Sequence, residues 1–406
     1  MKAITGVKLS IMMLLQYFIW GSWYVTMGTY MGTHLQSSGI QIGAAYSALA
    51  IATMISPFFI GMIADRYFSA ERIMGFLHLI GGALLYAATV IHDNTTFYWV
   101  ILLYSLVYMP TIALSNSIAF TQMNEPGKQF PWIRVFGTLG WIASGITIGM
   151  MGIEQSANTF YVASLASVAL GVFSFILPNT PAKGKASEAS KVFGTEAFVL
   201  FKDRSFLVFF VAAILVCIPL SFYYGFANPF LNEKGISNAA SKMTMGQMSE
   251  AIFILAIPFL FYRIGVKKML IMGILGWILR YVFFAFGDNP LIVAPLKADV
   301  LLGSLASISM LYGGILLHGI CYDFFFVTGY MFTEKQAGEK IKNAAQGLFT
   351  FATYGVGMFI GTLVSGFVVD YYKQGDLHNW QQIWYVPAVI ATVVLGYFVV
   401  FFKEKS

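Results

Sequence analysis

Charge is what this 406-residue chain has least of. Asp, Glu, Lys and Arg together make up 10% of it, against roughly 25% in soluble domains. A soluble protein of this length could not cover its surface with so few charges, so a water-soluble fold is excluded. Cysteine is almost missing as well. Cys217 and Cys321 are the two, and both fall inside apolar runs, so free buried thiols are expected and a disulfide is not. The short alternating segments of a membrane barrel are lacking. So are a phosphate loop, a nucleophile elbow and any His/Cys cluster at metal spacing, and neither an enzyme nor a cofactor or metal protein is expected. Met1–Ser10 runs straight into an apolar stretch, so no separate cleavable signal is expected.

Hydrophobic residues fill the space, at 58% of the chain. A membrane-spanning helix needs about 20 mostly apolar residues. Twelve such stretches are read, near 9–30, 42–64, 73–91, 97–119, 132–152, 158–177, 205–231, 244–262, 269–287, 300–331, 344–369 and 381–402. The tenth is the least clear, because Pro290, Pro295, Lys297 and Asp299 suggest an extra loop or half-helix before it. Lys and Arg set the orientation. With the N-terminus inside, 18 of the 24 fall in cytoplasmic segments, four on the other side, and Arg134 and Arg280 in or at the edge of spans. Both termini are therefore expected in the cytoplasm. The net charge of +6 is this loop bias, not a nucleic-acid footprint. The longest connection, Pro178–Asp203, is polar and Lys/Ser/Ala-rich. It divides the chain into a six-helix half at 1–177, a cytoplasmic loop at 178–203 and a second six-helix half at 204–406.

Polar residues at membrane depth carry the chemistry. An aspartate at the centre of a spanning helix costs about 2.5–3.5 kcal/mol on insertion scales, and such residues face cavities, proton paths or partner charges. Asp323 lies ten residues from Thr333 at the expected cytoplasmic edge, or about 15 Å at 1.5 Å per residue, which is near the midplane. His318 and Tyr322 adjoin it on one face. Glu250 follows Gln247 by one helical turn. Burial penalises the charged form of a carboxylate, which makes either Glu250 or Asp323 a candidate proton carrier. The plainer readings are a structural Asp323 and a permanent Glu250–Arg280 ion pair. Arg134, Thr138 and Trp141 share a stripe at i, i+4, i+7, although hydropathy alone would let Arg134 snorkel to the interface. Gln16, Trp20 and Trp23 form a second stripe, read either as lining or as packing. His34, His78, His92 and His378 are read as structural.

Six plus six helices around a polar loop is the layout of the major facilitator superfamily, whose substrate sites lie near the midplane between the halves. Gly61–Arg72 resembles that superfamily's G-x-x-x-D-R-x-x-x-x-x-R loop, with Asp65 placed for a charge lock. Longer segments are more specific: Leu15–Trp23, Tyr108–Thr111, Phe130–Gly140, Gln247–Pro258, Trp277–Arg280, Tyr322–Phe325 and Ala345–Gly347. On these the chain resembles the bacterial nucleoside:proton symporters nearly end to end. The resemblance implies an inner-membrane importer of nucleosides that works by alternating access and is driven by the proton gradient, with no cofactor and a monomer sufficing. It implies nucleoside contacts at Arg134, Thr138, Trp141, Gln247, Glu250, Tyr322 and Asp323, and so a cavity-facing Arg134. Span seven departs from the pattern, with Ser221 and Tyr224 where amides are expected. His318 stands in place of a tyrosine, and the segment before span ten is longer. Another polar solute, a sugar or nucleobase, is the alternative cargo, and a transporter-like sensor without flux is a more distant one.

Overall fold

The computed structural model describes residues 3–59, 68–181, 195–287 and 300–404. Among these, ten helices are long and apolar enough to cross a membrane. Two more, Asn158–Ser174 and Ala239–Ile264, occupy the remaining expected stretches. The helices that position the site are α1 (Ala3–Trp23), α2 (Met27–Thr33), α3 (Gly39–Phe59), α4 (Ala70–Thr89), α5 (Asn94–Thr121), α6 (Pro126–Met150) and α7 (Asn158–Ser174). After a 3-10 turn at Thr195–Lys202 come α8 (Arg204–Glu233), α9 (Ala239–Ile264) and α10 (Val266–Gly287). The tenth span is built in pieces: α11 (Val300–Leu316), α12 (His318–Tyr322), a π-helical stretch Asp323–Val327, and the first part of α13 (Thr328–Thr350), whose backbone breaks at Gly338 (φ 64°) so that its remainder opens the next span. A second π-helical stretch, Phe351–Gly357, leads into α14 (Met358–Tyr371), and α15 (Trp380–Phe401) closes the chain.

The Asp65–Arg66 part of the loop motif and the Pro/Lys/Asp segment before span ten lie outside the described residues. Glu71 of the same loop is described. It is buried, and its carboxylate accepts from the Thr180 backbone N–H at 2.9 Å. Both cysteines are free and buried, as expected.

The chain clusters into two compact units, Met1–Val192 with Tyr224–Thr244, and Phe193–Tyr223 with Met245–Ser406. The end of α8 and the start of α9 pack with the first unit. In that unit α1 packs against α6 and α7, and α4 against α5 and α7. The α1–α6 seam is close enough to exclude a side chain. A Cβ on Gly140 would stand 2.1 Å from the Leu14 carbonyl oxygen, so only glycine lets the two backbones meet there. In the second unit α10 packs against α15 and α11. A run of large rings fills that core, with Tyr281 stacked on Trp384 at 5.6 Å and Trp384 on Trp380 at 5.8 Å.

A buried polar cluster holds the end of α8 and the start of α9 into the first unit. Glu154, in the turn after α6, is 4% exposed. Its carboxylate accepts from Asn228 Nδ2 (2.9 Å), Asn232 Nδ2 (3.1 Å) and the Ala240 backbone N–H (3.0 Å). The last of these is one of the N-terminal amides of α9, which a helix leaves without internal acceptors. Thr29 Oγ1 donates to Asn228 Oδ1 at 2.5 Å.

Candidate functional site

The first unit presents an aromatic and cationic face made by α1 and α6. Arg134 is half-buried, and its guanidinium lies 4.2 Å over the Tyr17 ring. The stacking depends on Gly137, where a Cβ would come within 2.5 Å of Arg134 and 2.7 Å of Tyr17. Arg134 therefore stacks on a ring inside the unit, with Thr138 half-buried one turn further on. Trp141, also half-buried, packs edge-on against Trp20 at 5.5 Å and against Tyr24 at 6.3 Å. Tyr24 in turn meets Tyr224 at 5.4 Å, and its carbonyl accepts from the Tyr46 hydroxyl at 2.6 Å.

The stripe read on α1 splits in two. Trp20 joins Trp141, whereas Gln16 and Trp23 turn inward and are fully buried. Gln16 donates from Nε2 to Thr111 Oγ1 at 2.7 Å, and its Oε1 accepts from His78 Nε2 at 2.9 Å. His78 reaches Ser167 Oγ with its other nitrogen at 3.3 Å. Because an amide oxygen only accepts, this network puts the His78 proton on Nε2. His78 is thus a satisfied core histidine, in keeping with the structural reading. Tyr17 and Tyr24 replace Gln16 and Trp23 on the face that meets Arg134 and Trp141. Their spacing from Trp20, i−3 and i+4, is visible in the sequence, but several aromatic and polar residues crowd that turn and periodicity alone does not rank them.

The second unit gathers the ionisable groups. Asp323 is the middle residue of the apolar span Ile308–Gly338. It is 0% exposed, and neither carboxylate oxygen has a hydrogen-bond partner among the described residues. It opens the π-helical stretch Asp323–Val327, where the Thr328 N–H reaches back five residues to the Asp323 carbonyl. Such one-residue insertions recur at functional sites. His318, one turn earlier, is buried and lies sandwiched between rings: Tyr223 at 5.0 Å and Tyr322 at 5.7 Å, both stacked. Its Nε2 is 3.8 Å from the Glu250 carboxylate. Glu250 keeps 24% of its side chain exposed, and Gln247, one turn before it, is buried.

Arg280 is fully buried beside Tyr223. Its Nε donates to the Gly314 carbonyl at 2.9 Å, and its guanidinium covers Tyr223 at 4.1 Å and Trp277 at 5.0 Å. Both terminal nitrogens lack a hydrogen-bond partner among the described residues. The carboxylate that Glu250 presents is thus described against His318, while Arg280 is held by a carbonyl and two π-faces. Ser221 is buried, and its hydroxyl donates to the Cys217 carbonyl at 2.8 Å, one turn back in its own helix. The Tyr322 hydroxyl is hydrogen-bonded to that of Tyr354, a residue of the second π-helical stretch that carries no sequence signal beyond its place in span eleven. Among the described residues no group of three or more His, Cys, Asp or Glu is gathered as for a metal ion.

The first unit offers a cation, a hydroxyl and flat aromatic surface. The second offers carboxylates, an imidazole and phenols at membrane depth. Comparison with known proteins gives these groups a context. Residues 3–406 match the family described as Nucleoside H+ symporter. The putative nucleoside transporter YegT of Escherichia coli (strain K12) is 39% identical over 99% of this chain and 95% of its own. The xanthosine permease of the same organism is 36% identical over 98% and 96%. A crystal structure of the nucleoside transporter NupG superposes with a TM-score of 0.88 at 33% identity, covering 99% of this chain and all of that one. A bacterial homologue of the lysosomal transporter Spinster shares the fold, with a TM-score of 0.76 at 12% identity. The protein is a multi-pass membrane transporter of major-facilitator fold, not an enzyme, and it belongs to the nucleoside:proton symporter family.

Proposed function

We propose that this chain imports nucleosides across a bacterial inner membrane by proton symport, as a monomer, with access alternating between the two faces and with no cofactor beyond the proton gradient. The observation that carries the reading is Asp323. A transporter that only equilibrates its cargo has no use for a wholly buried carboxylate at the centre of a span, where neither oxygen is hydrogen-bonded among the described residues. A proton-driven one needs a carboxylate whose protonation changes during the cycle. Asp323 is the first candidate. Glu250 beside His318 is the second, and Arg280 biases the electrostatics of both. Arg134, Thr138, Trp141 and Tyr224 in the first unit, and Ser221, Gln247, Glu250, His318, Tyr322 and Asp323 in the second, are the proposed nucleoside contacts. A nucleoside has ribose hydroxyls, base edges and a π-face. The amide, hydroxyl and guanidinium groups supply hydrogen bonds, and the rings supply stacking surface.

The test is uptake of labelled uridine by proteoliposomes with and without an imposed pH gradient. Accumulation above the equilibrium level only when the outside is acidic is expected. Uptake of uridine that ignores the gradient would refute symport, and competition by sugars or bases in preference to nucleosides would refute the cargo. Asp323→Asn is expected to abolish accumulation against a gradient, and normal accumulation in that variant would remove Asp323 from the coupling role.

A further inference from the structure

Arg134 is one of the proposed nucleoside contacts, and its long stem would equally let it snorkel to the interface. Something has to hold the guanidinium where a cargo can meet it. Among the described residues no carboxylate pairs with it and no carbonyl accepts from it. The half-buried Tyr17 ring lies 4.2 Å from it. Arg280 in the second unit differs, since a carbonyl and two rings fix it. For Arg134 the Tyr17 ring is the fastening that the described residues provide.

The seam between α1 and α6 makes this contact possible. A Cβ on Gly21 would stand 2.2 Å from Ser144 Oγ, and one on Gly140 2.1 Å from the Leu14 carbonyl oxygen. The two backbones therefore approach closely on either side of Tyr17. Gly137 leaves the gap that the pair fills, because a Cβ there would come within 2.5 Å of Arg134 Nη1 and 2.7 Å of the Tyr17 ring. A guanidinium is planar, and its five N–H donors lie in that plane. A ring against its face attracts the cation and sets the plane without using any donor. Tyr17 also neighbours Trp20, at 6.3 Å, and Trp20 packs edge-on against Trp141 at 5.5 Å. The cation is thus tied to the aromatic surface that carries another proposed contact.

We infer that Tyr17 is a positioning residue for the cargo: it holds the Arg134 guanidinium by its face, so that the N–H edge is presented to acceptor atoms of the nucleoside. The inference rests on the nucleoside-binding reading of Arg134. The experiment measures KM and Vmax for labelled uridine in the parent protein, Tyr17→Leu, Tyr17→Phe, Arg134→Lys and the Tyr17→Leu/Arg134→Lys double variant. KM does not depend on how much protein is inserted. The expectation is a rise in KM of roughly 3–30-fold in Tyr17→Leu, the worth of one cation–π contact, with Vmax kept. Tyr17→Phe retains the π-face and should recover most of the loss. A lysine ammonium has no plane to set, so Tyr17→Leu should add little to Arg134→Lys. Gly137→Ala wedges the same pair apart from the other helix and should raise KM as well, which keeps the test open if Tyr17→Leu fails to insert. A parental KM in Tyr17→Leu or in Gly137→Ala would overturn the inference. So would a Tyr17→Phe as impaired as Tyr17→Leu, effects that multiply in the double variant, or a loss confined to Vmax, which are the signs of a phenol contact or of a purely structural role. Absence of uridine uptake by the parent protein would instead sink the nucleoside reading, and this inference with it.

Discussion

Truncating a buried side chain to alanine ordinarily destabilises a protein. Asp323→Ala should not. The side chain is 0% exposed, and both oxygens are without hydrogen-bond partners among the described residues. A buried polar group left unsatisfied costs about 1–3 kcal/mol, and the substitution removes that cost. Against it stands the space vacated by the carboxyl group, roughly 40 Å³, worth about 1 kcal/mol at 24 cal/mol per Å³. The balance is zero to about 2 kcal/mol in favour of the variant. Phe325, two residues on and equally buried, supplies the yardstick, since Phe→Ala in a core costs about 3–5 kcal/mol. The assay is thermal unfolding of the purified protein in detergent, followed by tryptophan fluorescence. Asp323→Ala should match or exceed the parent midpoint, while Phe325→Ala falls well below it. In proteoliposomes the same Asp323→Ala protein should fail to accumulate nucleoside. Stability kept and function lost is the signature of a group retained for work and not for folding. A midpoint for Asp323→Ala as low as that of Phe325→Ala would refute the reasoning, because it would mean that the carboxyl is well bonded in the native protein.

Glu154→Gln should lower the unfolding midpoint by an amount equivalent to about 1–3 kcal/mol, since an amide NH₂ would then face the N–H donors of Asn228, Asn232 or Ala240; Glu154→Asp, which keeps the charge, should recover part of the loss. Gly140→Ala should cost about 1–3 kcal/mol by overpacking, read by the same unfolding assay, because its Cβ would stand 2.1 Å from the Leu14 oxygen. Asp93 caps α5 by accepting from the Thr96 N–H at 2.8 Å, and that bond holds its carboxyl below the ordinary range. The cap's contribution is therefore present above the usual Asp range and is lost as pH falls through the lowered value; comparing the acid limb of unfolding in the parent and in Asp93→Asn checks it, with the difference confined to acid pH.

Much of the architecture can be read from hydropathy because a lipid-spanning helix has no alternative way to satisfy its backbone. The apolar stretches that become the spanning helices follow from that constraint. Asp323 is equally legible, because its cost in an apolar helix needs no knowledge of its neighbours. Relations between helices are a different matter, since no local pattern encodes them. Gln16 and Trp20 share a stripe by spacing, yet Gln16 is drawn into the core by His78, a residue 62 positions away. Glu154 looks like an ordinary loop acid until the N-terminal amides of α9 arrive beside it.

Tyr354 is the sharpest instance. Residues assigned to a face by 3.6 periodicity drift out of phase after every π insertion, and of the two insertions one, Asp323–Val327, begins just after Tyr322 and the other, Phe351–Gly357, contains Tyr354. Helical-wheel reasoning therefore fails most at the point where the span departs from a regular helix, which is also where its central carboxylate sits. The two facts have one cause. A π turn leaves a local break in the regular hydrogen-bond ladder, and on the proposed reading, in which Asp323 binds and releases a proton, that is where a helix gains from such a break.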